Sequence, residues 1–236
     1  MLDALPFETA ARPLRVMAAG AAKSVIEDLF AGCAASGAPM DTIFDTAGAL
    51  RDRVLGGDRL DILILSTEAM DALAAGGRFR KGAAADLGRT GVGLAGQKRR
   101  APPALETVDQ FREVLLAAPS IGYADPARGA TAGAWFVKCL HGLGLTEALR
   151  DRLKAFPFGV DAVSAVGRGE IAMAVSQATE ILPRPEVAFL GFFPEPCQIW
   201  TSYRAVALPG HPSAVGFIDA LTSAKGADAL RRAGFI

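Results

Sequence analysis

Apolar positions along the chain fall into short runs, each closed by a turn and followed by apolar residues at helical spacing. Leu14 to Ala19 (LRVMAA) reads as a strand, and beyond Gly20 the apolar positions Ala22, Val25, Ile26, Leu29 and Phe30 follow the period of one helix face. Thr42 to Phe44 predicts a brief strand, with a helix over Ala47 to Leu55 stopped by Gly56-Gly57. Leu60 to Ser66 (LDILILS) is apolar almost throughout, as in a parallel strand covered on both faces, and Glu68 to Ala75 is its helix. Three such strand-helix units predict a parallel sheet with helices packed on it.

Thr90 to Gly96 predicts a further strand, followed by a basic surface loop, QKRRAPP. Thr107 and Gln110 have the spacing of a capping box ahead of Val108, Phe111, Val114 and Leu115. Ile121 begins a strand that ends in a Gly/Pro turn and a helix from about Ala132 to Leu143. Beyond it the pattern predicts helix over Leu145 to Leu153, strand over Phe156 to Phe158, helix over Asp161 to Val166, strand over Ile171 to Val175 and helix over Ala178 to Leu182. Val187 to Phe192 and Ser202 to Leu208 are the last strands; Pro212 to Thr222 and Gly226 to Ala233 are the closing helices. A second α/β series starting near Ser120 predicts two lobes, residues 1–90 with 201–236 and residues 91–200, with the chain crossing twice.

Three strand-to-helix turns carry the candidate chemistry. A turn of this kind aims backbone N–H groups and the positive end of a helix dipole at one spot, which suits an anion. Ala18 to Ala22 brings Gly20 and Ala21, through which a ligand can approach the backbone; it reads equally as a tight connection. Asp45 to Gly48 brings the Thr46 hydroxyl and the Gly48 amide, unless Asp45 or Thr46 is only a helix cap. Ile121 to Thr131 brings the Arg128 guanidinium, the Gly129 and Ala130 amides and the Thr131 hydroxyl. Ser66, Ser176 and Gln177 close two of the apolar strands, where α/β sheets place ligand contacts. Gln198 reads as a contact to ligand or solvent, and His141 and His211 as structural or solvated, with His211 in an exposed Gly-His-Pro turn.

Composition narrows the function classes. Apolar residues make up 51% of the 236 and charged residues 21%, a globular balance, and acidic and basic residues are equal at 25 each. No bulk field therefore draws the chain to nucleic acid, and no apolar run is long enough to span a membrane. Cys33, Cys139 and Cys197 lie far apart and suit buried, reduced thiols; no metal or cofactor is expected. Neither a P-loop nor a nucleophile elbow is present, and dinucleotide binding is not expected. The N-terminal MLDALPFETAARPLRVMAAG lacks the form of an export signal, which places the chain as written in the cytoplasm, or in the periplasm if it is a mature or trimmed form.

The strings LRVMAAGAAKSVIEDLF, LDILILS, SIGYADPARGAT, GEIAMAVSQATEILP and AVGFIDALTSAKGADALRRAGF together resemble the type II periplasmic-binding-protein family, in its molybdate-binding branch. The resemblance spans Leu14 to Ile236, and DLGRTGVGLAG with Ser176-Gln177 is similar to the subgroup that includes aconitate isomerase. It implies an α/β, two-lobed fold with a ligand cleft between lobes and two hinge crossovers. It also implies a solute-binding function, with an ABC permease as partner if the protein is exported. Where molybdate binders carry serines at the first turns, this chain has Ala21 and Thr46 to Gly48, while Arg89 and Arg128 suit planar carboxylates. The expected ligand is thus a small anion, a polycarboxylate ahead of molybdate. The alternative is an isomerase shifting a double bond by allylic proton transfer, for which Asp45 and Tyr123 are the candidate bases.

Overall fold

The computed structural model describes residues 12–31, 39–77, 82–98 and 103–236. Its elements in chain order are β1 (Leu14–Ala19), α1 (Lys23–Phe30), β2 (Met40–Asp45), α2 (Ala47–Leu55), β3 (Ile62–Ser66), α3 (Thr67–Ala75), β4 (Ala84–Gln97), α4 (Val108–Ala117) and β5 (Ile121–Ala124). There follow α5 (Thr131–Gly142), α6 (Thr146–Leu149), β6 (Leu153–Phe156), α7 (Gly159–Gly167), β7 (Met173–Gln177), α8 (Ala178–Ile181), β8 (Val187–Phe192), β9 (Trp200–Ala207), α9 (Ser213–Thr222) and α10 (Ala224–Ala233). The chain forms two compact units, Met1–Arg89 with Thr201–Ile236, and Thr90–Trp200, and passes between them twice.

In the first unit β2, β1 and β3 run parallel, with Ala19 opposite Asp45 and Ala18 opposite Ile64, and β9 runs antiparallel to β3. Every residue of β3 is buried, as its continuous apolar run requires when helices cover both faces. Val25, Ile26, Leu29 and Phe30 form the buried face of α1, and the Phe30 ring stacks on Phe217 of α9 at 4.3 Å. Asp61 is held at the sheet's lower rim. Its carboxylate accepts two bonds from Arg12, at 2.6 and 2.7 Å, and one from the Arg15 N–H at 2.9 Å. Burial raises the pKa of this acid, but the Arg12 bonds, the Arg15 amide and the Arg12 charge together outweigh it and hold the group below the usual range.

The second unit has strand order β8, β4, β7, β5, β6, with β7, β5 and β6 parallel. One face of this sheet packs Phe111, Leu115, Phe136 and Leu140 from α4 and α5; the other packs Ala162, Val163, Val166 and Ile181 from α7 and α8. The capping box at Thr107 and Gln110 is formed as expected. At Gly133 in α5 a Cβ would lie 1.8 Å from the Ala124 carbonyl oxygen, so only glycine lets the start of that helix settle onto the end of β5.

Several boundaries differ from expectation. The strand predicted over Thr90 to Gly96 begins six residues earlier; Ala84 to Arg89 has no β-branched residue and is held by pairing, including the two Arg89–Ile236 backbone bonds at 2.9 Å. Helix over Leu145 to Leu153 stops at Leu149, and a single 3-10 turn leads into β6. Leu145, Leu149 and Leu153 keep a helical spacing, but Leu153 pairs with Ile121 as a strand residue, so the strand expected over Phe156 to Phe158 is Leu153–Phe156. The strand expected over Ile171 to Val175 is displaced to Met173–Gln177, because pairing of Met173 with Ile121 and Gln177 with Val92 sets its register.

Two side chains also correct the sequence reading. His211 is buried, bonded to the Arg12 carbonyl at 3.1 Å and accepting from the Ser213 N–H at 3.2 Å. Gln198 does not face solvent. It is buried against β4, where its amide exchanges two bonds of 3.0 Å with the Val92 backbone, completing the sheet as a strand residue would. Gly91 to Gly96 has the GxGxxG spacing of a dinucleotide turn, yet it lies inside β4 and opens no helix. Cys33, Arg99, Arg100 and the rest of the basic loop through residue 102 lie outside the described residues.

Candidate functional site: strand ends and helix starts in each unit

In the first unit, the C-terminal ends of three neighbouring parallel strands carry the candidate residues. Past β1, Gly20 and buried Ala21 lie in a 3-10 turn that no side chain caps. Past β2, Asp45 accepts a bond from the Thr46 N–H at 2.8 Å, and the Thr46 hydroxyl caps α2 by accepting from the Ala49 N–H at 3.2 Å. Gly48 lies in the first turn of that helix. Past β3, Ser66 caps α3 in the same way, accepting from Ala69 at 3.3 Å. A hydroxyl that accepts a cap bond retains a proton to donate, so capping and anion binding are compatible roles. Gly20, Ala21, Asp45, Thr46, Gly48 and Ser66 thus share one rim of one sheet. Arg89 is an exposed residue of β4 whose backbone is paired with Ile236.

In the second unit the parallel ends of β5, β6 and β7 form the corresponding rim. Asp125 accepts from the Ala127 N–H at 2.9 Å, opening a 3-10 turn over Pro126–Arg128, and Gly129 follows at φ 73°, a left-handed geometry that favours glycine. The Gly129 amide donates to the Pro126 carbonyl at 2.9 Å, so one of the two amides expected for a ligand is used within the turn. Ala130 is the N-cap of α5 with no side-chain cap, and Thr131 opens the helix, which leaves its first-turn amides to be met by other partners. The exposed Arg128 guanidinium lies over the Phe158 ring, 5.1 Å from its centre, at the start of α7, another helix that no side chain caps. Tyr123 packs edge-on against Phe136 at 5.6 Å; burial, and then the Asp125 charge, hold its phenol above the usual range, so it keeps its proton at neutral pH.

Ser176 and Gln177 are the last residues of β7 and are buried. The Ser176 hydroxyl donates to the carboxyl of Glu180, a residue that sequence reasoning did not single out. Burial pushes Glu180 up, against the lowering influence of the Ser176 bond, the Gln177 amide and the Arg184 charge. Space for this pair comes from Gly159, where a Cβ would lie 2.2 Å from the Ser176 hydroxyl and 2.5 Å from the Glu180 carboxyl oxygen. A carboxyl held in this way can keep a proton at a pH where an exposed glutamate has lost it. Only the tertiary meeting of residues 159 and 180 reveals it; in sequence Glu180 is one polar residue of a four-residue helix.

Among the described residues no group of three His, Cys, Asp or Glu is placed to hold a metal ion, and no helix is long and apolar enough to cross a membrane. The family model for bacterial extracellular solute-binding proteins matches residues 14–236. The chain belongs to that family. This solute-binding protein is also 26% identical over 195 residues to an aconitate isomerase of a Pseudomonas species, covering 80% of this chain and 72% of that protein. Its fold is similar to that of the periplasmic molybdate-binding protein of Azotobacter vinelandii, with TM-score 0.74 at 18% identity, covering 94% of this chain and 98% of that one. It is similar too to the periplasmic binding protein AgtB of Agrobacterium tumefaciens in complex with agropinic acid. There the TM-score is 0.63 at 15% identity, covering 93% and 81% of the two chains. These likenesses establish the two-lobed type II periplasmic-binding fold.

Proposed function

We propose that this solute-binding protein takes a small organic anion bearing more than one carboxylate. The observation that carries the reading is Arg128, set at the uncapped start of α5 and over the ring of Phe158. A guanidinium is a planar fork that grips a carboxylate through two parallel bonds, and an aromatic face beneath it restrains the fork's orientation. The first unit supplies neutral partners, the amides after Gly20 and Ala21 and the hydroxyls of Thr46 and Ser66, which suit a second carboxylate or a ligand hydroxyl. A compact tetrahedral oxyanion is less well served, since Ala21 has no hydroxyl to give. Transfer to an ABC permease is the corresponding cellular role if the protein is exported.

Thermal shift against citrate, cis- and trans-aconitate, molybdate, tungstate and sulfate tests this reading. A ligand at a hundred times its dissociation constant adds about 2.7 kcal/mol. Stabilisation by a carboxylic acid and not by molybdate supports the proposal; stabilisation by molybdate alone removes it.

The Glu180–Ser176 pair favours a second reading, that binding is followed by isomerisation, and the 26% identity to an aconitate isomerase supports it. A base removes one allylic C–H proton, the double bond shifts, and the proton returns at the other end of the allyl system; a carboxylate of raised pKa is the stronger base for the first step, and its acid returns the proton in the second. Proton NMR of bound cis-aconitate tests it, since conversion of the vinyl signal to that of the trans isomer requires turnover.

A further inference from the structure

The second unit contains two thiols that neither binding nor isomerisation uses. Trp135 and Cys139 lie four residues apart on α5 and so share one face of that helix. The Trp135 indole N–H donates to the Cys197 carbonyl at 2.7 Å, which fixes residue 197 against that face. On one side the Cys197 amide closes a turn onto the Pro194 carbonyl at 2.7 Å; on the other Gln198 is locked to Val92. Cys139 and Cys197 lie in the same buried apolar cluster, with Phe111, Phe136 and Phe193, close enough for each thiol to act on the other.

We propose that Cys139 and Cys197 are a pre-positioned pair that closes to an intramolecular disulfide when the chain folds in an oxidising medium, tying α5 to the segment that leads to Trp200. The helix carries Arg128 to Thr131 at its start, so the bond braces the part of the second unit that the proposed ligand reading relies on, though it does not depend on that reading. Two S–H bonds break and one S–S bond forms. The two electrons and two protons pass to a small disulfide such as oxidised glutathione, which leaves as two thiols. Burial, followed by the contact with Cys197, pushes the Cys139 thiol up to about 12. Little thiolate therefore exists in the folded protein, so closure belongs to folding, before the cluster excludes water.

The test uses the full chain with Cys33→Ser, refolded from denaturant with and without oxidised glutathione, alkylated, and mapped by mass spectrometry. The expected result after oxidative refolding is a monomer with no alkylated cysteine, one peptide linking Cys139 to Cys197, and a melting temperature on the order of 10 °C above the reduced protein. The unsubstituted chain should give the same linked peptide, with Cys33 alkylated. A Cys139→Ala, Cys197→Ala chain should melt at one temperature with or without dithiothreitol. Recovery of folded protein with both cysteines alkylated after oxidative refolding, or a linkage between two molecules, overturns the proposal.

Discussion

Among the described residues, Asp61 of the first unit and Glu180 of the second are carboxyl groups held in opposite states. Asp61 in the first unit has a cation for a partner, and the fork of Arg12 with the Arg15 amide keeps it ionised. Glu180 in the second has a hydroxyl for its bonded side-chain partner, and burial favours its proton. An acid matched with a cation serves structure, whereas one whose proton is poised is available for chemistry or pH response. The candidate ligand groups differ in parallel. The first unit's rim offers hydroxyls and amides, with Lys23 beside Glu27 at 3.8 Å and the Phe44 ring; the second carries exposed Arg128 over the Phe158 ring. In the proposed reading, charge recognition falls to the second unit and shape recognition to the first.

The largest break in that contrast should come from Gly159→Val, which drives a side chain into the Ser176–Glu180 pair. It should cost about 3 kcal/mol of stability in urea unfolding, with little change in the first unit's hydrogen exchange. Arg128→Ala should weaken binding of the proposed carboxylate by roughly 10- to 100-fold in calorimetry, and Arg128→Lys by roughly 10-fold, because an ammonium cannot reproduce the planar fork.

pH separates the two acids. The stability that ionised Asp61 contributes is present above its unfolded pKa and is lost as pH falls through its lowered folded value, so Asp61→Asn should melt roughly 5 °C lower at neutral pH and approach wild type in acid. Glu180 has the reverse sign. Its favourable contribution is complete below the unfolded pKa and is lost as pH rises through the raised folded value, so Glu180→Gln should flatten the decline in melting temperature that begins as pH rises above the ordinary carboxylate range. The smallest effects belong to the first unit's hydroxyls. Thr46→Ala and Ser66→Ala should each cost about 1 kcal/mol as lost helix caps, with changes in ligand affinity of about 5-fold or less.

Much of this architecture is legible in the chain itself, because the repeated switch from strand to helix periodicity is local. The helix over Ala47–Leu55 and the box at Thr107 are set by neighbours a few residues away, and they stand where the pattern predicts. Sequence is weaker where pairing decides. Ala84 to Arg89 becomes strand through β9 and Ile236, and Leu153 leaves a helical series because Ile121 offers it a parallel partner. At the site, the short-range turns around Thr46 and Arg128 can be found from their residue types. The Glu180 pocket cannot, since its wall is the missing side chain of Gly159, and Gln198 gains its role only by lying against Val92, 106 residues away.

The division of labour between the units is tested most directly by isothermal titration of wild type, Arg128→Ala and Ser66→Ala with cis- and trans-aconitate, citrate and molybdate. The account predicts that wild type binds a carboxylic acid, that Arg128→Ala loses at least about 10-fold in affinity, and that Ser66→Ala stays within about 5-fold. Tight binding of molybdate alone, or an Arg128→Ala affinity equal to wild type, would contradict it.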